Sequence, residues 1–209
     1  MTLRIDPMTP EELDRHLWDI ADLRIRIFAA FPYLYDGDRD YEARYLKTYR
    51  DAPGAIVVGA WDDDRLVGCS TGTPLEQHSD DFAAAFAGPA LPVEDIFYCA
   101  ESVLLPEYRG QGAGHRFFDL REDHARGLGR HWSAFCAVIR PPDHPQRPPD
   151  YRPLDAFWHA RGYAPLEGAV ARFAWRDHGE ARESDKLLQF WIRRLDPPED
   201  AGLPAGDAP

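Results

Sequence analysis

The sequence predicts one α/β or α+β domain, a sheet sandwiched by helices, and three observations carry that prediction. A short opening strand runs into a capped amphipathic helix. An apolar hairpin follows around an acidic turn. A β-rich run then ends in a glycine-dense turn that opens into another amphipathic helix.

The elements follow in order. Leu3 and Ile5 mark the first strand, and Thr9-Pro10-Glu11-Glu12 supplies an N-cap, a first-turn proline and first-turn acids. Leu13, Leu17, Ile20, Leu23, Ile27 and Phe28 continue at helical spacing until Phe31–Gly37, with its proline, glycine and aromatics, breaks the pattern into an expected exposed loop. Tyr41–Tyr49 reads as helix again. Ala55–Trp61 and Arg65–Gly72 flank Asp62-Asp63-Asp64 as an antiparallel hairpin. Asp80–Phe86 suggests a short helix, Ile96–Leu105 a strand that stops at Pro106, and Gly114–Leu128 an amphipathic helix closed by Gly129. Trp132–Ile139 has strand length. Pro141–Pro153 is too proline-dense for regular structure and reads as a flap or a rigid spacer. Leu154–Arg161 is a short helix ending at Gly162, and Ala169–Trp175 and Ser184–Arg194 are strands. Residues 1–195 thus form a single domain, and 196–209, rich in Pro, Asp, Gly and Ala, an expected disordered acidic tail.

Composition bounds the function. Hydrophobic residues at 44% and charged residues at 29% of 209 fit a packed globular chain rather than a disordered one. Lys plus Arg number 24 against 36 Asp plus Glu, and the net charge of −12 argues against nucleic acid as partner, because phosphates require a basic footprint. A cationic or amine substrate suits that field, and so does an acidic surface that only maintains solubility. The N-terminus has no signal-peptide pattern and no apolar stretch reaches the roughly 18 residues of a membrane span, so a cytoplasmic protein without a membrane partner is expected. Cys69, Cys99 and Cys136 are too widely spaced for a disulfide framework or a zinc site and read as buried thiols.

The stretch that carries chemistry is Ser102-Val103-Leu104-Leu105-Pro106-Glu107-Tyr108-Arg109-Gly110-Gln111-Gly112-Ala113-Gly114. A strand ends, a glycine-rich turn follows, and a helix begins. Its first N–H groups have no partner within the helix and sit at the positive end of the dipole, so they hold a pyrophosphate if small residues let it approach. The spacing differs from the dinucleotide G-x-G-x-x-G pattern, and no Gly-Lys-Ser/Thr is present for a P-loop.

This stretch resembles the Q/R-x-x-G-x-G/A acetyl-CoA motif of the GNAT N-acetyltransferases, matched by Arg109, Gly112 and Gly114, and the order of elements from about Leu3 to Trp175 is similar to that family's. The resemblance implies the GNAT fold, a mixed and mostly antiparallel twisted sheet with helices on both faces. It implies acetyl-CoA as co-substrate, no metal, and direct acetyl transfer to the primary amine of a small molecule or peptide. Within an acetyl-CoA-binding loop that begins at Arg109 and Gly110, the backbone amides of Gln111, Gly112, Ala113 and Gly114 would cradle the pyrophosphate, and the backbone of Val103, Leu104 and Leu105 would pair with the pantetheine arm. The fourth and fifth strands would splay apart, with Ser133–Val138 as the opposite wall.

Glu101, a carboxylate in an otherwise apolar strand, is the candidate base, and pairing with an arginine is the alternative reading of the same residue. The family's acid tyrosine is replaced in Phe157-Trp158-His159-Ala160-Arg161-Gly162-Tyr163 by Trp158, whose indole is no practical acid. Tyr151, His159 or solvent would then protonate the leaving thiolate. Tyr33 and Tyr35, with Asp36, Asp38 and Asp40, either form an acceptor pocket or are surface groups, and His144 stands in the flap. A non-catalytic acyl-CoA sensor and transfer of a longer acyl group are the competing functions. The amine and the oligomeric state, a homodimer included, stay open.

Overall fold

The structure, a computed structural model, describes residues 3–78, 82, 85–86 and 91–195. Much of the helix expected over Asp80–Phe86, and the tail from 196 onward, lie outside the described residues.

Strand β1 (Arg4–Pro7) precedes α1 (Pro10–Phe28), which starts where the capping signal stands. Thr9 Oγ1 accepts from the Glu12 N–H at 3.2 Å and Glu12 Oε2 from the Thr9 N–H at 2.9 Å, so two amides with no partner inside the helix are satisfied. α2 (Arg39–Asp51) is capped by Asp38, whose carboxylate accepts from Tyr41 N at 2.7 Å. The hairpin β2 (Ile56–Asp62) and β3 (Arg65–Pro74) follows, then β4 (Ile96–Leu104), α3 (Ala113–Gly127), β5 (Trp132–Val138), α4 (Asp155–Ala160), β6 (Ala164–Trp175) and β7 (Ser184–Arg194).

The seven strands form one sheet in the order β1-β2-β3-β4-β5-β7-β6, antiparallel throughout except between β4 and β5. Ile56–Trp61 of β2 are buried without alternation, the mark of a strand covered on both faces. α1 packs on β3 and β4, while α3 lies across β1–β4. One apolar core unites these helices with β2–β4, and a second joins Leu75, Ile96 and Tyr98 to Trp175, Leu188 and Phe190 at the other end of the sheet.

Two expectations need correction. β6 begins at Ala164 rather than Ala169, because a register irregularity between Pro165 and Val170 lets an interrupted sequence stay in the sheet. The Phe31–Gly37 loop is half-buried rather than exposed. Its backbone is a docking point: the Tyr33 carbonyl accepts from Arg140 at 2.7 Å and from the Trp175 indole at 3.0 Å, and Leu34 is buried.

Candidate active site at the fork between two strands

β4 and β5 pair only from Ile96–Tyr98 to Trp132–Ala134 and then part. The cause lies partly in β4 itself. Thr71 faces Glu101 and Thr73 faces Tyr98, so two β4 residues, Cys99 and Ala100, stand opposite the single Gly72. That bulge bends β4 away from β5. Arg121 of α3, 1% exposed, braces it by donating to the carbonyls of Thr71 (3.0 Å), Glu101 (2.9 Å) and Phe117 (3.1 Å) and to Ser102 Oγ (2.9 Å). A buried guanidinium requires this many acceptors, since an unpaired one is costly.

Past the bulge, the backbone of β4 divides between two sides. The Leu105 N–H is taken by the Val67 carbonyl at 3.0 Å. By antiparallel alternation, Val103 and Glu101 also turn their backbone groups to β3, leaving those of Ser102 and Leu104 facing the fork. The Leu104 carbonyl there accepts from Arg109 Nε at 3.3 Å. Of the residues expected along a pantetheine arm, Leu104 therefore faces the fork with its carbonyl held by Arg109, whereas Val103 and Leu105 contribute buried side chains to the core beneath it. Ser102, absent from that expectation, also lies beyond the β5 pairing.

Beyond Pro106–Tyr108 the chain turns through Arg109, Gly110, Gln111 and Gly112 into α3. Tyr108 pins the turn to the β2–β3 hairpin, its hydroxyl donating to Asp62 at 2.7 Å. Gly110 (φ +76°) and Gly112 (φ +84°) hold left-handed conformations, and a Cβ at either would meet nothing within 4 Å. Neither glycine serves protein packing; both leave open space over the backbone. Gly114 instead lies against Phe157 of α4. The first intrahelical bond is Arg116 N to Gly112 O, so the N–H groups of Gly112, Ala113, Gly114 and His115 precede it. No side chain caps this end and its first turn holds no acid. Arg109, Gln111, His115 and Arg116 are exposed around it. An uncapped helix start of this kind is suited to an anion.

Glu101, past the bulge, is gripped through Oε1 by the buried Arg24 of α1, which also grips Glu42 of α2. The Tyr45 hydroxyl lies 3.3 Å from Glu101 Oε2 and 2.7 Å from the Tyr49 hydroxyl. Burial works against the Arg24 charge, but Glu101, Tyr45 and Glu42 together hold it well above the usual arginine range. Glu101 is thus paired with an arginine through one oxygen, while its other oxygen faces the Tyr45 and Tyr49 hydroxyls. Arg24, Glu42 and Tyr45 were missed from the sequence. Their signal was present: Arg24 falls in the Leu13, Leu17, Ile20 and Ile27 stripe of α1, and Glu42 in the Leu46 and Tyr49 stripe of α2, where charges belong only when partnered.

Tyr33 meets this cluster electrostatically. Burial raises its hydroxyl pKa most, Cys136, Glu101 and Tyr151 add to the rise, and Arg24 opposes it. Tyr35 is raised by burial and then by Glu42. Two acids of their own loop have partners elsewhere: Asp38 caps α2 and Asp36 pairs with Arg176. The flap joins the same loop, with Tyr151 and His144 against Phe31 at ring distances of 4.7 and 5.6 Å and Arg147 over Tyr151 at 4.9 Å. Burial raises Tyr151 as well. His159 is exposed and edge-on to Trp191 at 5.0 Å. Trp158 packs against Phe135 and Trp191. The three cysteines are free and buried, and burial pushes the Cys136 thiol up to about 12, far from a nucleophile's range.

Comparison with known proteins agrees with this geometry. Residues 17–148 match the model of the acetyltransferase (GNAT) family. No curated protein gives a significant sequence match. Among solved structures, a GNAT superfamily phosphinothricin acetyltransferase from Sinorhizobium meliloti, in complex with acetyl-CoA, superposes with a TM-score of 0.56 at 17% identity, covering 99% of this chain and 95% of that one. An N-acetyltransferase from Staphylococcus aureus gives 0.58 at 11% identity over 94% and 100%. An aminoglycoside 6'-acetyltransferase type Ii gives 0.57 at 17% over 93% and 100%.

Proposed function

The chain belongs to the GNAT acetyltransferase family, and from that premise we propose that it transfers the acetyl group of acetyl-CoA directly to a primary amine. One observation carries the reading: the helix start with the uncapped amides of Gly112–His115 follows directly on the stretch of β4, Ser102 and Leu104 included, that has parted from β5. A diphosphate fits the first feature and an extended amide-bearing arm the second. Arg109, Gly110, Gln111, Gly112, Ala113 and Gly114 form the cradle.

Bound acetyl-CoA supplies the acetyl thioester, in which the bond to sulfur breaks as the bond to the amine nitrogen forms. The residues of the chain then manage protons and position. Tyr45 passes the proton of the amine to Glu101 Oε2, an arrangement supported by their 3.3 Å contact. N–H groups on the free edge of β4 polarise the acetyl carbonyl. Tyr151, kept neutral by partial burial, donates a proton to the departing sulfur. His159, turned to Trp191, is the weaker candidate for that role. Tyr33 and Tyr35 line the acceptor side.

A second reading, a non-catalytic acyl-CoA sensor, is favoured by Trp158, which packs against Phe135 and Trp191 where the family carries an acid tyrosine. Thiol release from acetyl-CoA in the presence of amines separates the two: turnover supports the enzyme, stoichiometric binding alone the sensor. Absence of calorimetric CoA binding at millimolar concentration by folded protein overturns both.

A further inference from the structure

Resting on the proposed acetyl transfer, we infer that Arg140 is a positioning residue for the acceptor: it clamps the backbone of Pro32 and Tyr33 to the end of β5 and so fixes Tyr33 relative to Tyr151. Arg140 stands two residues beyond β5, on a backbone still anchored by the Ile139 N–H to the Leu187 carbonyl at 2.8 Å. Its side chain is only 10% exposed. Nε donates to the Pro32 carbonyl at 2.8 Å and Nη2 to the Tyr33 carbonyl at 2.7 Å, while Nη1 and Nη2 hold the two oxygens of Asp177 at 2.7 and 3.0 Å. One planar fork of donors thus joins the fifth strand, the loop after α1 and the turn after β6.

The other end of the flap closes on the same loop. Arg140 leads directly into Pro141–Pro153, and Tyr151 returns edge-on to Phe31 at 4.7 Å. Residues 31–33 are therefore held from both ends of the flap, by a guanidinium at one and an aromatic ring at the other. Tyr33 lies within electrostatic reach of both Glu101 and Tyr151, the proposed base and acid, so a shift of this loop moves the acceptor wall relative to both.

Attachment of the loop does not require Arg140. Tyr35 bridges to Asp177, the Asp36 N–H donates to the Arg176 carbonyl at 2.9 Å, the His178 N–H to that of Leu34 at 2.7 Å, and the Trp175 indole to that of Tyr33 at 3.0 Å. Asp177 also keeps a partner without Arg140, since Lys186 Nζ lies 3.3 Å from its Oδ1. A buried ion pair adds little net stability once desolvation is counted. What this one adds is the tie from Pro32 and Tyr33 to β5.

Arg140→Gln and Arg140→Lys test this, with thiol release from acetyl-CoA measured for tyramine, agmatine and a lysine-bearing peptide, and calorimetry for CoA. In the glutamine variant, kcat/KM for the best of these acceptors should fall at least about tenfold, within the roughly 100-fold that 1 Å of misplacement costs. KM for acetyl-CoA and Kd for CoA should stay within about twofold, because the cradle at Gly112–His115 makes no use of Arg140. The lysine variant keeps a charge beside Asp177 but not the fork; it should fall between parent and glutamine variant, and it carries the test if the latter does not fold. Thr9→Ala gives up the cap at the opposite end of α1 from Arg24 and should leave both constants unchanged, which separates positioning from lost stability. An amine kcat/KM unchanged in both Arg140 variants, or an equal loss towards acetyl-CoA, overturns the inference. A parent protein that binds CoA yet releases no thiol with any of these amines overturns the proposed transfer, and the inference with it.

Discussion

Arg121 Nη1 donates to the main-chain carbonyl of Glu101 at 2.9 Å, while the carboxylate of the same residue is gripped by Arg24 from α1. Glu101 is thus held through its backbone by α3 and through its side chain by α1. The bulge in β4 makes this possible, freeing a carbonyl for Arg121.

Arg121→Met should therefore do more than remove a charge. It strands the Thr71 and Glu101 carbonyls in the interior, and the expected loss is about 3 kcal/mol. Arg121→Lys keeps the charge on a shorter reach and should lose about half as much. Urea midpoints check the stabilities. In the lysine variant, kcat should fall while KM for acetyl-CoA holds, because the cradle at Gly112–His115 is separate from the bulge.

Removal of the relay gives a graded response. Glu101→Gln should lower kcat about 100-fold, the usual scale for a lost general base. Tyr45→Phe, which keeps the ring that packs on Arg24, should lower it about tenfold. Acetyl-CoA affinity should be unchanged in both, read by calorimetry. Equal kcat in Tyr45→Phe and the parent protein would remove the tyrosine from the proton path.

The glycines at the cradle separate backbone strain from ligand contact. An added methyl at Gly110 or Gly112 meets no protein atom, so Gly→Ala at either position costs only the left-handed conformation, about 1 kcal/mol of stability. Any weakening of CoA binding well beyond that reports a ligand in the open space. Calorimetric Kd values set beside thermal midpoints for the two variants make the comparison.

Much of this was legible in the sequence, and what was hidden has a common cause. Thr9 with Glu12, the hairpin around Asp62–Asp64 and the glycine turn are local signals, each read within a few residues. The bulge at Cys99–Ala100 is invisible without the partner strand, because two-against-one pairing is a property of the ladder. The Arg24–Glu42–Glu101 cluster draws on three elements, and in each segment taken alone the charge looks like an interruption of an apolar pattern. Asp36 and Asp38 show the opposite case, in which neighbours in sequence have their partners elsewhere. Their proximity to Tyr33 and Tyr35 in sequence suggests a pocket, while a helix cap and a surface ion pair account for them.

A last prediction concerns pH and does not depend on catalysis. His78 lies edge-on to Phe82 and tilted against Tyr98 at ring distances of 4.6 and 4.8 Å, and burial lowers its pKa to about 4 from the ordinary 6.5, against the pull of the Glu101 carboxylate. Between those values the unfolded chain binds a proton that the folded one refuses, so stability falls as pH drops from 6.5 to 4 and this contribution levels off below. The loss reaches about 3 kcal/mol at most, and less where solvent reaches the ring. His78→Phe retains the ring contacts and removes the titration. Urea midpoints across this range should therefore slope less in the variant than in the parent protein, and identical slopes would show that His78 already accepts a proton in the folded state.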